Sequence, residues 1–95
     1  MTQEPLEIIV DGTPNPNALK FTLNRVVATK GETYRGNPDQ VPAAWAKALL
    51  GIQGIIGVFG INNFISINKA SDAEWQVIVP QAEAALKAVF AGAQS

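Results

Sequence analysis

Between Ala18 and Asn24 apolar and polar residues take turns: Leu19, Phe21 and Leu23 fall on one side, Lys20, Thr22 and Asn24 on the other. A period of two is that of a half-buried strand. Before it, Leu6-Glu7-Ile8-Ile9-Val10 is a short β-branched run that predicts a strand ending at the Asp11-Gly12 pair. After it, Glu32-Thr33-Tyr34-Arg35 predicts a short strand following a turn at Lys30-Gly31. Pro42 suits the first turn of a helix with Trp45, Ala48, Leu49 and Ile52 on its apolar side, closed by Gly51 and Gly54. The runs Ile55 to Ile61 and Phe64 to Lys69 are split by Asn62-Asn63, whose side chains accept the left-handed conformation of a tight hairpin turn.

Ser71-Asp72-Ala73-Glu74 has the form of a capping box and announces a last helix. Its apolar stripe is Trp75, Ile78, Val79, Ala82, Ala85, Leu86, Val89 and Phe90. Pro80 falls inside, removing a hydrogen bond to Gln76, so a kink or a break near Val79 is expected. The element order is therefore β-β-β-α-β-β-α. Helices with one apolar stripe and alternating strands predict an α+β fold in two layers, a largely antiparallel sheet with two helices on one face. The other face would carry Glu7, Ile9, Lys20, Thr22, Phe64, Ser66 and Asn68, among which Ile9 and Phe64 are the apolar members. They are either partly covered by neighbours or part of a contact surface.

Composition narrows the function. The 95 residues hold no Cys and no His, so this chain offers no disulfide, thiolate cluster ligand, zinc site or imidazole-based triad. The length predicts one small domain over 1–95, with a core over about 6–90. The ends, Met1 to Glu4 and Gly92 to Ser95, read as ragged. Seven basic residues against eight acidic ones, scattered singly, argue against nucleic acid as the partner. No apolar run is long enough for a membrane span, and Thr2-Gln3-Glu4-Pro5 does not resemble a leader, so the expected compartment is the cytoplasm.

Asp11 near Thr13 and Lys20 near Asn17 lack any recognised catalytic spacing. Asp39, Asp72 and Glu74 are too dispersed for an oxygen-ligand metal site. The glycines from Gly51 to Gly57 lack the Lys and hydroxyl residue of a phosphate loop. The segment with most to explain is Thr13-Pro14-Asn15-Pro16-Asn17. Two prolines stiffen it, and its Asn side chains either turn the chain between strands or, with Lys20, present themselves to a partner at low entropy cost.

Thr13-Pro14-Asn15-Pro16-Asn17-Ala18-Leu19-Lys20-Phe21 resembles the T-P-N-P-N-x-x-K-F segment of the N-terminal domain of NifU-like (Nfu) iron–sulfur cluster scaffold proteins. Ile52-Gln53-Gly54-Ile55-Ile56-Gly57-Val58-Phe59, Asn63 to Lys69, and Trp75 with Pro80 resemble that domain's later motifs, in order, over about Leu6 to Phe90. Asn63 stands where the family usually has Asp. The resemblance implies a small α/β unit, found either ahead of a C-terminal domain that holds a cluster through C-x-x-C or alone, and this chain reads as the lone form. It also implies an accessory role in iron–sulfur cluster assembly.

The expected function is a non-enzymatic module that docks iron–sulfur carrier or recipient proteins through Thr13, Asn15, Asn17 and Lys20 and the hairpin tip Asn62, Asn63 and Phe64. No metal and no cofactor is assigned to this chain, the cluster residing on a partner. The competing expectations are a small-molecule or enzymatic domain with a pocket between helices and sheet, and single-strand nucleic-acid binding at Phe64. The last needs a second exposed aromatic ring beside Phe64 and a basic rim, and the sequence reading finds neither.

Overall fold

In the computed structural model, which describes residues 6–92, the strands are β1 (Ile8–Gly12), β2 (Ala18–Leu23), β3 (Ala28–Arg35), β4 (Ile55–Asn62) and β5 (Phe64–Lys69). Helix α1 spans Ala44–Leu50 between β3 and β4, and α2 spans Trp75–Gly92. The strands form one antiparallel sheet in the order β1-β2-β5-β4-β3. Leu23, Phe21, Ile65, Ile67 and Val58 lie on one face and form the core with Trp45 and Leu49 of α1 and Ile78, Ala82 and Leu86 of α2. Helices on one face of an antiparallel sheet is the expected α+β arrangement. Of the ends expected to be ragged, only Gly92 lies within the described residues, where it closes α2.

Several boundaries differ from the sequence reading, each because tertiary pairing outweighs a local signal. Asp11 and Gly12 do not turn but continue β1, opposite Lys20 and Leu19, since β2 supplies ladder partners that far. Lys30-Gly31 is likewise no turn: β3 runs through it with a register irregularity between Ala28 and Glu32. A Cβ at Gly31 would lie 3.1 Å from the Phe59 ring, so the glycine admits that ring. Helix α1 begins after Pro42, at Ala44, behind a 3-10 turn at Pro38–Gln40 whose first amide group is capped by Asn37. Leu50 ends α1 and Gly51 caps it, as expected of that glycine, whereas Ile52, expected on the helix's apolar side, lies in the turn beyond its end.

The capping box does not form. Ser71 and Asp72 belong to a turn, and α2 starts at Trp75, with the carbonyl of Glu74 accepting the first amide bonds from Val77 and Ile78. Nor does Pro80 break α2, which is continuous from Trp75 to Gly92. Pro80 and Gln76 are both exposed, so the carbonyl deprived of its helical donor faces water. Beside it, Gln81 Nε2 donates to the Val77 carbonyl at 3.0 Å. The helix survives because its other face carries Ile78, Ala82 and Leu86 into the core.

Candidate functional site

The loop between β1 and β2 is a set of nested turns. The Thr13 hydroxyl accepts from the Asn15 amide at 3.2 Å and lies 2.9 Å and 3.0 Å from the carbonyls of Asn15 and Ala18, to which it donates. Asn15 Oδ1 accepts from the Asn17 amide at 2.9 Å, and the Ala18 amide donates back to the Asn15 carbonyl. With Pro14 and Pro16 fixing φ, the loop has little freedom left. Asn17 then fastens it to the rest of the molecule: its carbonyl accepts from the Lys69 amide at 2.9 Å and its Oδ1 from Lys69 Nζ at 3.0 Å. Trp75 Nε1 donates to the Pro16 carbonyl at 2.9 Å, which ties the start of α2 to the same loop. Lys69 is only 8% exposed, and its ammonium, also donating to the Ala70 carbonyl, sits 5.8 Å from the Trp75 ring.

The hairpin tip lies at the other end of the sheet. Ile61 pairs with Phe64, leaving Asn62-Asn63 as the connection, and of the two only Asn62 takes a positive φ, 54°. Asn63 serves differently: its Nδ2 donates to the Leu23 carbonyl at 3.1 Å while its own carbonyl accepts from the Leu23 amide. The Asn62 carbonyl accepts from the Val27 amide. The tip is thus locked against the end of β2.

The sheet face away from the helices is read off the register. One cross-strand row is Ile9, Thr22, Phe64 and Ile61; the next is Asp11, Lys20, Ser66, Phe59 and Thr33. Phe59 and Phe64 lie with ring centroids 6.5 Å apart, and Lys20 Nζ stands 4.5 Å over the Phe64 ring. Ile9 is 61% exposed, and Phe59, Ile61 and Phe64 are half-buried. An uncovered apolar strip beside a cation is a surface suited to protein contact.

The structure therefore gathers Lys20, Asn62, Asn63 and Phe64 towards one end and places Thr13, Asn15 and Asn17 at the other. From Ala18 to Thr22 along β2 is roughly 13 Å at about 3.3 Å per residue. The sequence reading missed Phe59 and Ile61, although counting by two back across a two-residue turn from Phe64 reaches both. Phe59 also supplies the second aromatic ring that the sequence reading did not find beside Phe64. Lys69 and Trp75 carried no comparable signal, because their contacts with Asn17 and Pro16 span more than fifty residues. Among the described residues no group of acidic side chains is arranged to hold a metal ion. Among the described residues Tyr34 has a displaced ionisation: its hydroxyl donates to Glu32 Oε1 at 2.9 Å, and that bond, with desolvation and the Glu32 charge, raises the phenol above its ordinary value.

The family model of the scaffold protein Nfu/NifU N-terminal domain matches residues 8–93. The chain belongs to the Nfu/NifU N-terminal family. It is similar to the crystal structure of protein SAV1430 from Staphylococcus aureus, with a TM-score of 0.73 and 33% identity over 84% of this chain and 98% of that one. It is 35% identical over 82 residues to conserved virulence factor C of Staphylococcus aureus, covering 84% of this chain and 22% of that protein. It is also 39% identical over 82 residues to a mitochondrial NFU1 iron-sulfur cluster scaffold homolog of Drosophila erecta, covering 83% of this chain and 29% of that protein. The chain thus spans between a fifth and a third of the length of these curated relatives. Among the described residues no helix is long and apolar enough to cross a membrane.

Proposed function

We propose that this chain is a non-enzymatic contact module of iron–sulfur cluster assembly, docking proteins that carry or receive clusters and leaving the cluster itself on the partner. The observation that carries this reading is the strip formed by Ile9, Phe64, Ile61 and Phe59 on the face neither helix covers. The chain's lack of Cys and His supports it, since no soft ligand is available here to hold a cluster. Phe64 and Lys20 anchor the contact, with Asn62 and Asn63 at its edge. Thr13 and Asn17 hold the far loop in shape, and exposed Asn15 is the loop residue that faces a partner.

The compartment proposed is the cytoplasm, although the fly relative is named as mitochondrial. A pocket enzyme finds less support: the groove of about 470 Å³ beside α2 is an open trough lined by Ile56, Ala73 and Val77 with Asp72 and Glu74 at its rim. For single-stranded nucleic acid, Phe59 and Phe64 supply a pair of rings, but Asp11 stands next to Lys20 in the same row and the net charge is −1.

The test is affinity capture with the wild type beside Phe59→Ser/Phe64→Ser, followed by identification of the captured proteins and assay of their iron and sulfide. Capture of cluster-bearing or cluster-receiving proteins that falls at least tenfold in the variant supports the reading. Equal capture by both, stoichiometric iron on the purified chain, or preferential binding of an oligonucleotide overturns it.

A further inference from the structure

A cavity of about 330 Å³ opens at the end of the sheet next to the β1–β2 loop, one cross-strand row beyond the row that holds Phe59. The polar residues lining it are Asn15, Asn17, Asn68, Arg35 and Lys69. Among the described residues no carboxylate lines it. The cavity exists because of a missing side chain: in the cross-strand row Ala18, Asn68, Gly57, Arg35, the glycine leaves a gap between an amide and a guanidinium. Packing does not demand glycine there, since a Cβ would lie 3.7 Å from the Tyr34 carbonyl and 3.8 Å from Arg35 Cβ, ordinary contact distances, and Gly57 has no positive φ.

Lys69 has three N–H groups and, among the described residues, two acceptors, Asn17 Oδ1 and the Ala70 carbonyl. The Arg35 guanidinium has no hydrogen-bond or ion-pair partner among the described residues. A buried ammonium without a counter-ion is costly, and a second cation beside the same cavity adds to the local positive potential. Such a site is completed by an oxyanion, whose oxygens match the planar fork of Arg and the point charge of Lys.

We propose that this cavity binds a carboxylate or phosphate group, with Arg35 as the fork, Lys69 as the buried second cation and Asn68 and Asn15 as neutral donors. The oxyanion comes either from a small free anion or from an acidic side chain of a docking protein. The site shares Asn15 with the contact module proposed above but none of the strip residues Ile9, Phe59, Ile61 and Phe64, so anion binding read at Gly57 and Asn68 can fail or succeed independently of protein capture through the strip.

The experiment follows backbone amide shifts of the intact chain while inorganic phosphate, citrate or a short Asp/Glu-rich peptide is added, with an Asn/Gln analogue of the peptide as the neutral control. Saturable shifts centred on Gly57, Asn68 and Asn17 are expected. Arg35→Gln weakens binding at least tenfold, and Gly57→Val, which fills the gap without altering charge, abolishes it. Lys87→Gln, the same charge change on the exposed side of α2, leaves it within twofold. Saturation by phosphate or citrate alone assigns the site to free anions, and saturation by the peptide with competition by phosphate assigns it to an acidic side chain. If Gly57→Val fails to fold, Arg35→Gln against Lys87→Gln decides. The proposal is overturned if none of the three probes moves these amides saturably, if a folded Gly57→Val binds like wild type, or if Lys87→Gln weakens binding as much as Arg35→Gln.

Discussion

Asn17 holds two groups at once, the Lys69 amide through its carbonyl and the Lys69 ammonium through its Oδ1. Deleting that oxygen leaves a nearly buried cation short of an acceptor, so Asn17→Ala is expected to cost about 1.5–3 kcal/mol in urea unfolding. The double variant Asn17→Ala/Lys69→Met removes the charge together with its acceptor, and is expected to be more stable than the sum of the two single changes by at least about 0.5 kcal/mol, as for any contacting pair. Tyr34 offers a second check. The chain has one tyrosine, so its phenolate absorbance is read without interference. Because the Glu32 bond favours the protonated phenol, Tyr34 ionises at higher pH folded than unfolded. Its contribution to stability is then complete below the unfolded value near 10, and is lost as pH rises through the folded value. Glu32→Gln is expected to bring the titration back towards that of the unfolded chain.

At the scale of elements, β4 and α1 meet at one glycine. A Cβ on Gly60 would fall 2.6 Å from Trp45 Cη2, a clash with a ring that is itself buried and packed edge-on to Tyr34 at 6.0 Å. Gly60→Ala is therefore expected to destabilise the fold by about 1–3 kcal/mol, measured by thermal and urea unfolding, through overpacking rather than through backbone strain. Gly57, three residues earlier in the same strand, tolerates a Cβ. Two glycines in one strand thus differ because one faces the helices and the other faces the opposite side. In α2, Pro80 sits where its ring is exposed and a helical hydrogen bond is absent. Pro80→Ala restores the bond to the Gln76 carbonyl and is expected to raise the melting temperature, the gain amounting to about 1 kcal/mol or more.

For the molecule as a whole, the two faces of the sheet should respond differently to mutation. Ile67→Ala, in the helix-facing core, is expected to cost about 2–5 kcal/mol. Phe64→Ser, on the uncovered face, is expected to cost less than about 1.5 kcal/mol, since it loses mainly a tilted ring contact and an exposed cation over the ring. Chemical unfolding of the two variants side by side checks the difference. The strand runs, the hairpin at Asn62-Asn63, both helices and the helix-covered side of the sheet were legible in the sequence, because periodicity and turn chemistry are local and each residue's face follows from its parity. The end of β1, the course of β3 through Lys30-Gly31, the failed capping box at Ser71 and the unbroken helix at Pro80 were not, because in each a distant partner outweighs the local preference. The candidate site divides the same way. The stiffness of Thr13 to Asn17 and the placing of Lys20 and Phe64 on one face follow from residue type and spacing alone. Phe59 beside Phe64 also follows, once the two-residue hairpin turn is counted across, whereas only the order β1-β2-β5-β4-β3 decides that Lys69 is bound by Asn17 and that Gly57 opens a gap between Asn68 and Arg35. Neighbours across a sheet are chosen by which surfaces can be buried together, and no window of sequence contains that choice.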